Sequence, residues 1–464
     1  MCLDKKSAQN YIFAPLNFKD MNFVKKYYPN YRSLLRLAVP IIIGQLGGII
    51  TGLADTIMVG QHSTEELAAA SFVNNVLNAF IIFGTGFSFA LTPLIGENLA
   101  RGKKYVVAAW QKNSLVANLL LSIVLMLILT LLYFNIEHLG QPEELLPLIK
   151  PYFIVSMISV IFVMLANSYR QFVEAITDPS VSMWVLLSGN LLNIIGNYAL
   201  IYGKFGFPEM GLIGAGYSTL FSRIFMLLAF VVVFIVKPSY RPYRHGFRRM
   251  WVLPNRLMRI TKIGIPIALQ QGLEAATFSL TAIMVGWIGS TELAAHQVVI
   301  AISTISFTTY LGLGSATAIR TSYYKGKKDM PQVRNTTVAG VHLGIVVSFL
   351  TCVALFAFRN EISYIFSDDP VVSSIVIMLL PILMLYQFVD GAQIVLANAL
   401  RGLSDVKSIM WISFLTNFVI AIPAGYILGF PLGMGIQGIW LAYPIGFVFS
   451  VALLGLRARK LMIK

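Results

Sequence analysis

Long apolar runs separated by short polar stretches fill the chain between residues 34 and 456. A helix needs about 20 apolar residues to cross the hydrocarbon core of a bilayer, and runs of that length recur throughout. The breaks between them carry the charges, glycines and prolines of short loops. Lipid offers backbone groups no hydrogen-bond partner, so such runs cross it as helices. The pattern predicts an all-α polytopic membrane protein of twelve transmembrane helices. Composition agrees, at 57% hydrophobic and 12% charged, against roughly 25% charged in soluble domains.

The pattern is also written twice. Residues 40–71 align without a gap to residues 266–297, through a polar turn as well as the apolar flanks. Met58-Val59-Gly60 matches Met284-Val285-Gly286, and Glu66-Leu67-Ala68-Ala69 matches Glu292-Leu293-Ala294-Ala295. Further on, Arg101-Gly102-Lys103-Lys104 matches Lys325-Gly326-Lys327-Lys328, and Gly211-Leu212-Ile213-Gly214 matches Gly435-Ile436-Gln437-Gly438. A fixed internal period points to repeated units. Six spans per unit is an even number, so both units enter and leave on one face and are parallel repeats. The expected organisation is an N-terminal tail (1–33), a six-helix lobe (34–236), a basic linker (237–257), a second six-helix lobe (258–456) and a C-terminal tail (457–464). Two such lobes around a central site form a transporter architecture, in which rocking gives alternating access.

The net charge of +15 raises the question of a nucleic-acid partner, which its distribution answers. With the N-terminus inside, all of the 35 lysines and arginines except Lys150, Lys204, Arg223 and Arg359 fall on one side. The other side holds Glu65, Glu66, Glu143, Glu144, Asp368 and Asp369. This is the positive-inside asymmetry, which places both termini in the cytoplasm of a bacterial inner membrane and makes nucleic acid an unneeded partner. Lys5, Lys6, Lys19, Lys25 and Lys26 precede no apolar segment of signal-peptide type. Cys2 lacks the upstream residues of a lipoprotein site, and Cys352 falls inside a span, so neither a disulfide nor a thiolate metal site is expected.

At this point the residues resemble a family. Asp55-Thr56 with Met58-Val59-Gly60, the paired Glu-Leu-Ala-Ala turns, Tyr202-Gly203-Lys204-Phe205-Gly206 with Pro208-Glu209, and Leu400-Arg401-Gly402-Leu403-Ser404-Asp405 are similar to the multidrug and toxic compound extrusion (MATE) family, its NorM-type branch in particular. The resemblance implies a secondary active exporter, not an enzyme, that exchanges lipophilic cationic drugs for inward Na+ or H+, with no cofactor beyond the coupling ion. A single chain with both lobes is expected to act as a monomer in membrane lipid.

Of the 20 acidic residues, three are read at membrane depth: Asp55, Glu274 and Asp390. An ionisable group there is a functional candidate by default, because a carboxyl group withdrawn from water favours a proton or a bound cation over its bare charge. Arg223, read as the sole deep basic residue, is a candidate ion-pair partner but cannot neutralise three carboxylates. Gln270 and Glu274 share one face of the seventh helix, and Tyr386 and Asp390 share one face of the tenth, with Gln387 and Gln393 nearby. Carboxylates with neutral oxygens suit a hard cation such as Na+, while helix-to-helix hydrogen bonding is the plainer role for the neutral groups. In the family, acids at the positions of Glu274 and Asp390 form the cation site of the C-terminal lobe, and the Asp at the position of Asp55 belongs to proton coupling in the N-terminal lobe. Asn193 and Asn197 share a face of the fifth helix. Other branches carry Asp where Asn197 stands, which favours the C-terminal carboxylates here and leaves Na+ and H+ both open.

Gly44, Gly48 and Gly52 recur every fourth residue ahead of Asp55. That spacing is expected to let a neighbouring helix approach, or else to form a flexible face. Pro40 and Pro266 are expected to mark helix starts. Abundant Phe, Tyr, Trp and Met would host lipophilic cations, with no individual residue singled out. His62, His138, His245, His296 and His342 show no metal-ligand spacing, and no phosphate-cradling loop or nucleophile constellation is present. The alternative functions are a flippase for lipid-linked saccharide precursors, which would want a cavity rich in Arg and Lys, and a non-transporting membrane protein, which would want a catalytic cluster or an added domain.

Overall fold

Residues 21–359, 361 and 369–463 are described by a computed structural model, with side chains from Lys25 onward. Cys2, Lys5, Lys6, Lys19 and Asp368 therefore lie outside the described residues. The first lobe holds α1 (Met21–His62), α2 (Thr64–Ala100), α3 (Lys104–Phe134), α4 (Leu146–Ala175), α5 (Pro179–Ile201) and α6 (Gly211–Val236). The second holds α7 (Pro254–Gly286), α8 (Ser290–Gly326), α9 (Met330–Ala357), α10 (Pro370–Gly402), α11 (Val406–Gly429) and α12 (Gly435–Ile463). Eleven of these are long and apolar enough to cross a membrane by length and composition. The exception is α7, whose apolar stretch is broken by Gln270, Gln271 and Glu274.

Local chemistry sets several of the boundaries. Ser63 caps α2 by accepting from the backbone N–H groups of Glu65 and Glu66 at 3.2 and 3.4 Å, and Asp369 caps α10 through the Val371 N–H at 2.8 Å. The repeat extends to backbone detail. Thr177 and Ser404, at equivalent turns, both take left-handed φ of 68° and 64°, as do Gly211 and Gly435 at 54° and 57°. Each turn of the first pair leads into an aspartate that anchors the end of its own lobe. Asp178 binds Lys237 and accepts from the Tyr240 hydroxyl at 2.7 Å, and Asp405 accepts from Arg457 at 2.6 Å.

Pro40 and Pro266 do not start helices. Both lie inside α1 and α7, which begin well upstream with polar and basic residues that extend beyond the apolar runs. The short linker helix Arg241–Arg249 packs on α3, with Gly246 so close to Tyr105 and Ala108 that an added Cβ would meet the Ala108 Cβ at 2.8 Å.

Among the described residues the lobes are joined on one side only. In the half nearest the linker, Leu34, Leu37 and Ile41 of α1 pack with Leu313, Ala316 and Ile319 of α8, and Phe87 and Leu91 of α2 pack with Ile260, Ile263 and Ile267 of α7. Polar contacts reinforce the join. Tyr31 and His342 hydrogen-bond at 2.9 Å, Thr336 donates to Asn30 at 3.1 Å, and Glu97 holds Arg101 at 2.7 Å with Lys325 at 3.9 Å. In the opposite half the buried clusters each stay within one lobe: Val59 to Ala215 in the first, Met284 to Phe447 in the second.

Candidate substrate cavity and cation site

Inside the first lobe, α1, α2, α4, α5 and α6 line a cavity of about 570 Å³. Gly48 and Gly52 line it, and an added Cβ at either would meet nothing within 4 Å. Of the glycine stripe only Gly44 serves close packing, against Met183 and Leu186 of α5 at 3.2–3.3 Å; the other two leave the cavity its room. The expectation of a continuous packing stripe is corrected accordingly. Asp55 faces this space, with one carboxylate oxygen accepting from the Asn197 side-chain amide. Asn193 donates to Thr219 at 3.3 Å, so the two asparagines on one face of α5 have different duties. One holds Asp55; the other ties α5 to α6. Arg223 also lines the cavity and donates to the Ser159 hydroxyl. It lies near enough to Asp55 for electrostatic interaction, yet the two form no ion pair within 4.0 Å among the described residues.

The second lobe assembles a different group. Glu274 Oε1 accepts from Gln270 at 2.8 Å, from Gln393 of α10 at 3.4 Å and from Ser413 of α11 at 3.5 Å. Ser413 in turn accepts from Asn417 at 3.1 Å, in the stretch Leu415–Ala421 where α11 widens to a π-helix. Such widenings collect at functional sites. Asp390 is 2% exposed, one turn from Tyr386 and close enough to Glu274 to interact with it electrostatically. Tyr310 donates to Gln387 at 3.0 Å, which gives Gln387 a part in pairing α8 with α10. The Asp390 Oδ2 and Gln393 Oε1 atoms are buried without a hydrogen-bond partner among the described residues. Two carboxyl groups and a free amide oxygen make a donor set of hard oxygens, the type that fits Na+ and equally accepts a proton.

Two segments, residues 40–199 and 266–427, match the family model MatE. They begin at Pro40 and Pro266, the first residues of the two copies of the gap-free repeat. The chain belongs to the MatE family. Among curated relatives, Multidrug resistance protein MdtK of Photorhabdus laumondii is 30% identical over 442 residues, covering 93% of this chain and 95% of that one. Multidrug resistance protein NorM of Photobacterium profundum is 29% identical over 443 residues, covering 93% and 96%. The fold is shared with a solved outward-facing multidrug resistance MATE transporter at TM-score 0.85 and 20% identity, covering 93% of this chain and 96% of that one. A eukaryotic MATE transporter matches at TM-score 0.85 and 19% identity, covering 94% and 98%.

Within this MatE fold, two further charged residues are buried at the linker-side ends of their helices. Arg401 is 3% exposed, its guanidinium 4.6 Å over the Phe89 ring of the other lobe and 3.4 Å from Gln270. It is the last residue but one of α10, which continues to Gly402, and the interlobe join buries this helix end. Glu174, the last residue but one of α4, is likewise buried, 2% exposed, and is paired with Arg170 at 2.9 Å. The four-residue spacing of Arg170 and Glu174 was the available signal for the pair. Nothing local signals Arg401, whose partners come from α2 and α7.

Proposed function

We propose that this protein is a secondary active multidrug exporter, moving lipophilic cationic compounds out of the cell in exchange for inward Na+ or H+. The observation that carries the reading is the one-sided join of the lobes. A bundle sealed in one half and separable in the other is one end-point of alternating access, and each lobe carries acidic groups of its own, Asp55 in the first and Glu274 with Asp390 in the second. The excess of basic residues on the linker side supports a cytoplasmic seal and cytoplasmic termini. The cleft then opens outward, the state for which one solved relative is named. Relatives named for multidrug resistance support drugs as cargo.

In this mechanism the lobes 34–236 and 258–456 rock about the join, and each charged site sets part of the balance. A cation from outside reaches Glu274 and Asp390 and removes the repulsion between their carboxylates. Closing the outer half over neutralised carboxylates avoids burying bare charge, so the ion favours the lobe arrangement that faces inward. Gln270, Gln393, Ser413 and Tyr386 hold the carboxyl groups in place. In the first lobe Asn193 and Asn197 fix the wall and carboxylate of the cavity, and Asp55 offers the cargo a counter-charge and takes up H+ when the cargo has left. Coupling requires that the ion bind the two arrangements with different affinity.

The test is efflux of a fluorescent lipophilic cation from reconstituted vesicles, driven by a Na+ gradient and, separately, by a pH gradient. Transport under one gradient names the ion. Glu274→Gln and Asp390→Asn are each expected to lower ion-driven efflux at least about tenfold, equivalent to 1.4 kcal/mol, while the protein stays folded. Wild-type efflux from both variants overturns the assignment.

A further inference from the structure

Between Glu209 and Glu274 the chain carries nine lysines and arginines and no acid. Some of these charges are engaged elsewhere. Lys237 binds Asp178, and Arg244 donates to the Phe234 and Lys237 carbonyls at 3.3 and 2.9 Å. Arg256 and Arg259, in the first two turns of α7, have no such outlet. Both guanidiniums converge on one neutral ring, that of Trp110 on α3, at 5.8 and 5.9 Å from its centroid. Neither lies within 4.0 Å of a carboxylate among the described residues. The positive end of the α7 dipole adds to their charge, and Arg259 is near enough to Lys325 for the two cations to repel. Two donors here are also unmet: Trp110 Nε1 and Arg256 Nη1 are buried with no hydrogen-bond partner among the described residues. Indole and guanidinium nitrogens only donate, and buried donors as a rule find an acceptor. The acceptor this corner calls for is an anion.

Depth and surroundings say which anion. α3 has 31 residues, about 46 Å at 1.5 Å per residue, which matches the roughly 40–45 Å of a bilayer with its headgroup layers. Trp110 is six residues in from the linker-side end, about 9 Å, near the boundary between headgroups and hydrocarbon. Large apolar side chains flank the arginines in sequence and face outward: Trp251 is 81% exposed, Leu253 43% and Met258 56%. Tryptophan among arginines is the signature of a membrane–water interface. The linker is pinned at this level, because Lys112 donates to the Met250 carbonyl at 3.0 Å and the Leu253 N–H donates to Asn113 at 2.9 Å. Exposed apolar groups beside the charges suit a ligand with acyl chains, which a free phosphate ion lacks.

We infer that Arg256, Arg259 and Trp110 form a binding site for the phosphate of an anionic glycerophospholipid of the linker-side leaflet. Guanidinium groups are suited to bidentate capture of phosphate, and the indole N–H supplies a further donor. Trp110 belongs to the first lobe and both arginines to the second, so the bound headgroup ties the lobes together on the side where they already meet.

Fluorescence anisotropy tests it on the purified full-length protein in neutral detergent micelles. The probes are phosphatidylglycerol labelled on its acyl chain and phosphatidylcholine with the same label, whose headgroup has no net charge. Phosphatidylglycerol should bind at least about tenfold tighter, and millimolar inorganic phosphate should not displace it. Arg256→Gln with Arg259→Gln should remove the preference. Arg248→Gln with Arg249→Gln deletes the same charge from exposed linker positions and should leave most of it. Trp110→Phe, which keeps the ring and removes the donor, should weaken phosphatidylglycerol about threefold or more. Thermal unfolding of each variant verifies its fold, and the wild-type comparison of lipids needs no variant. Equal binding of the two lipids, binding of neither, displacement by inorganic phosphate, equal losses from the two arginine pairs, or unchanged affinity in folded Trp110→Phe overturns the proposal. Neither cargo nor coupling ion enters the measurement, so its failure is distinct from failure of the export reading.

Discussion

Gly326 offers the sharpest test of the one-sided join. It ends α8, and a Cβ there would sit 2.4 Å from the Glu97 carbonyl oxygen and 2.8 Å from the Ala100 Cβ, both on α2. Backbone atoms cannot swing aside as a flexible side chain would, so Gly326→Ala must push the two helices apart by roughly 1 Å. Overpacking of this kind costs about 1–3 kcal/mol. The helix propensity gained by alanine, up to about 1 kcal/mol, is present whichever way the lobes are tilted and cancels from the comparison. The cost falls only on the arrangement in which α2 and α8 touch. The equilibrium should therefore move away from it by about 5–150-fold. If the opposite arrangement starts at about 1% of the population, within the usual range for a minor state, it should rise to somewhere between about 5% and 60%. Spin labels at Leu139 and Trp287, exposed on different lobes at the far end from the linker, in a background lacking Cys2 and Cys352, report that population as a short-distance peak. A Gly326→Ala protein that is folded, with an unchanged distance distribution, refutes the view that this crossing holds the lobes together.

Other expectations follow from single residues. Gly52 opens on empty cavity, so Gly52→Ala should bind a fluorescent cargo normally, whereas Gly52→Leu should weaken it about tenfold or more with no fall in Tm; equal behaviour of the two refutes the cavity assignment. Arg401 places positive charge near Glu274, a charge–charge effect of order 1–2 kcal/mol. Arg401→Gln should therefore tighten Na+ binding about tenfold by calorimetry, and weaker Na+ binding would count against the C-terminal site. In the linker, burial and the hydrogen bond to Asp178 hold the Tyr240 phenol protonated well above its ordinary value of 10.0. A raised folded value means that its contribution to stability is complete below about pH 10 and lost as pH rises further. Tyr240→Phe should then leave the tyrosinate absorbance step near pH 10 unchanged in size, and a smaller step there would contradict the structure.

Much of the fold was legible because lipid forces a simple code on sequence. Apolar run length gives the spans, and the gap-free match between the Pro40 and Pro266 segments gives two lobes. Contacts within one helix were legible too, since four-residue spacing put Gln270 on Glu274. The Asn197 bond to Asp55 crosses helices, and only the family resemblance pointed to it. What escaped the sequence was set by packing between distant segments. Arg401 is buried because Phe89 of the other lobe covers it, and Gly48 and Gly52 share the spacing of Gly44 yet face space instead of a helix. The proline positions misled for another reason: α1 and α7 begin with polar, basic turns outside the apolar pattern, so each proline falls mid-helix.

The polar face of α7 has a consequence for how the protein is made. A charged group at the centre of a helix costs about 2.5–3.5 kcal/mol during membrane insertion, and Gln270 and Gln271 add to the burden of Glu274. The helix that opens the second lobe is thus the one least able to enter the bilayer by itself. Its partners are at hand, however, because α2 of the first lobe already presents Phe87 and Leu91 to Ile260, Ile263 and Ile267. During synthesis the finished first lobe is placed to act as a receiving surface for the start of the second, and the polar residues of α7 make its insertion depend on that earlier half.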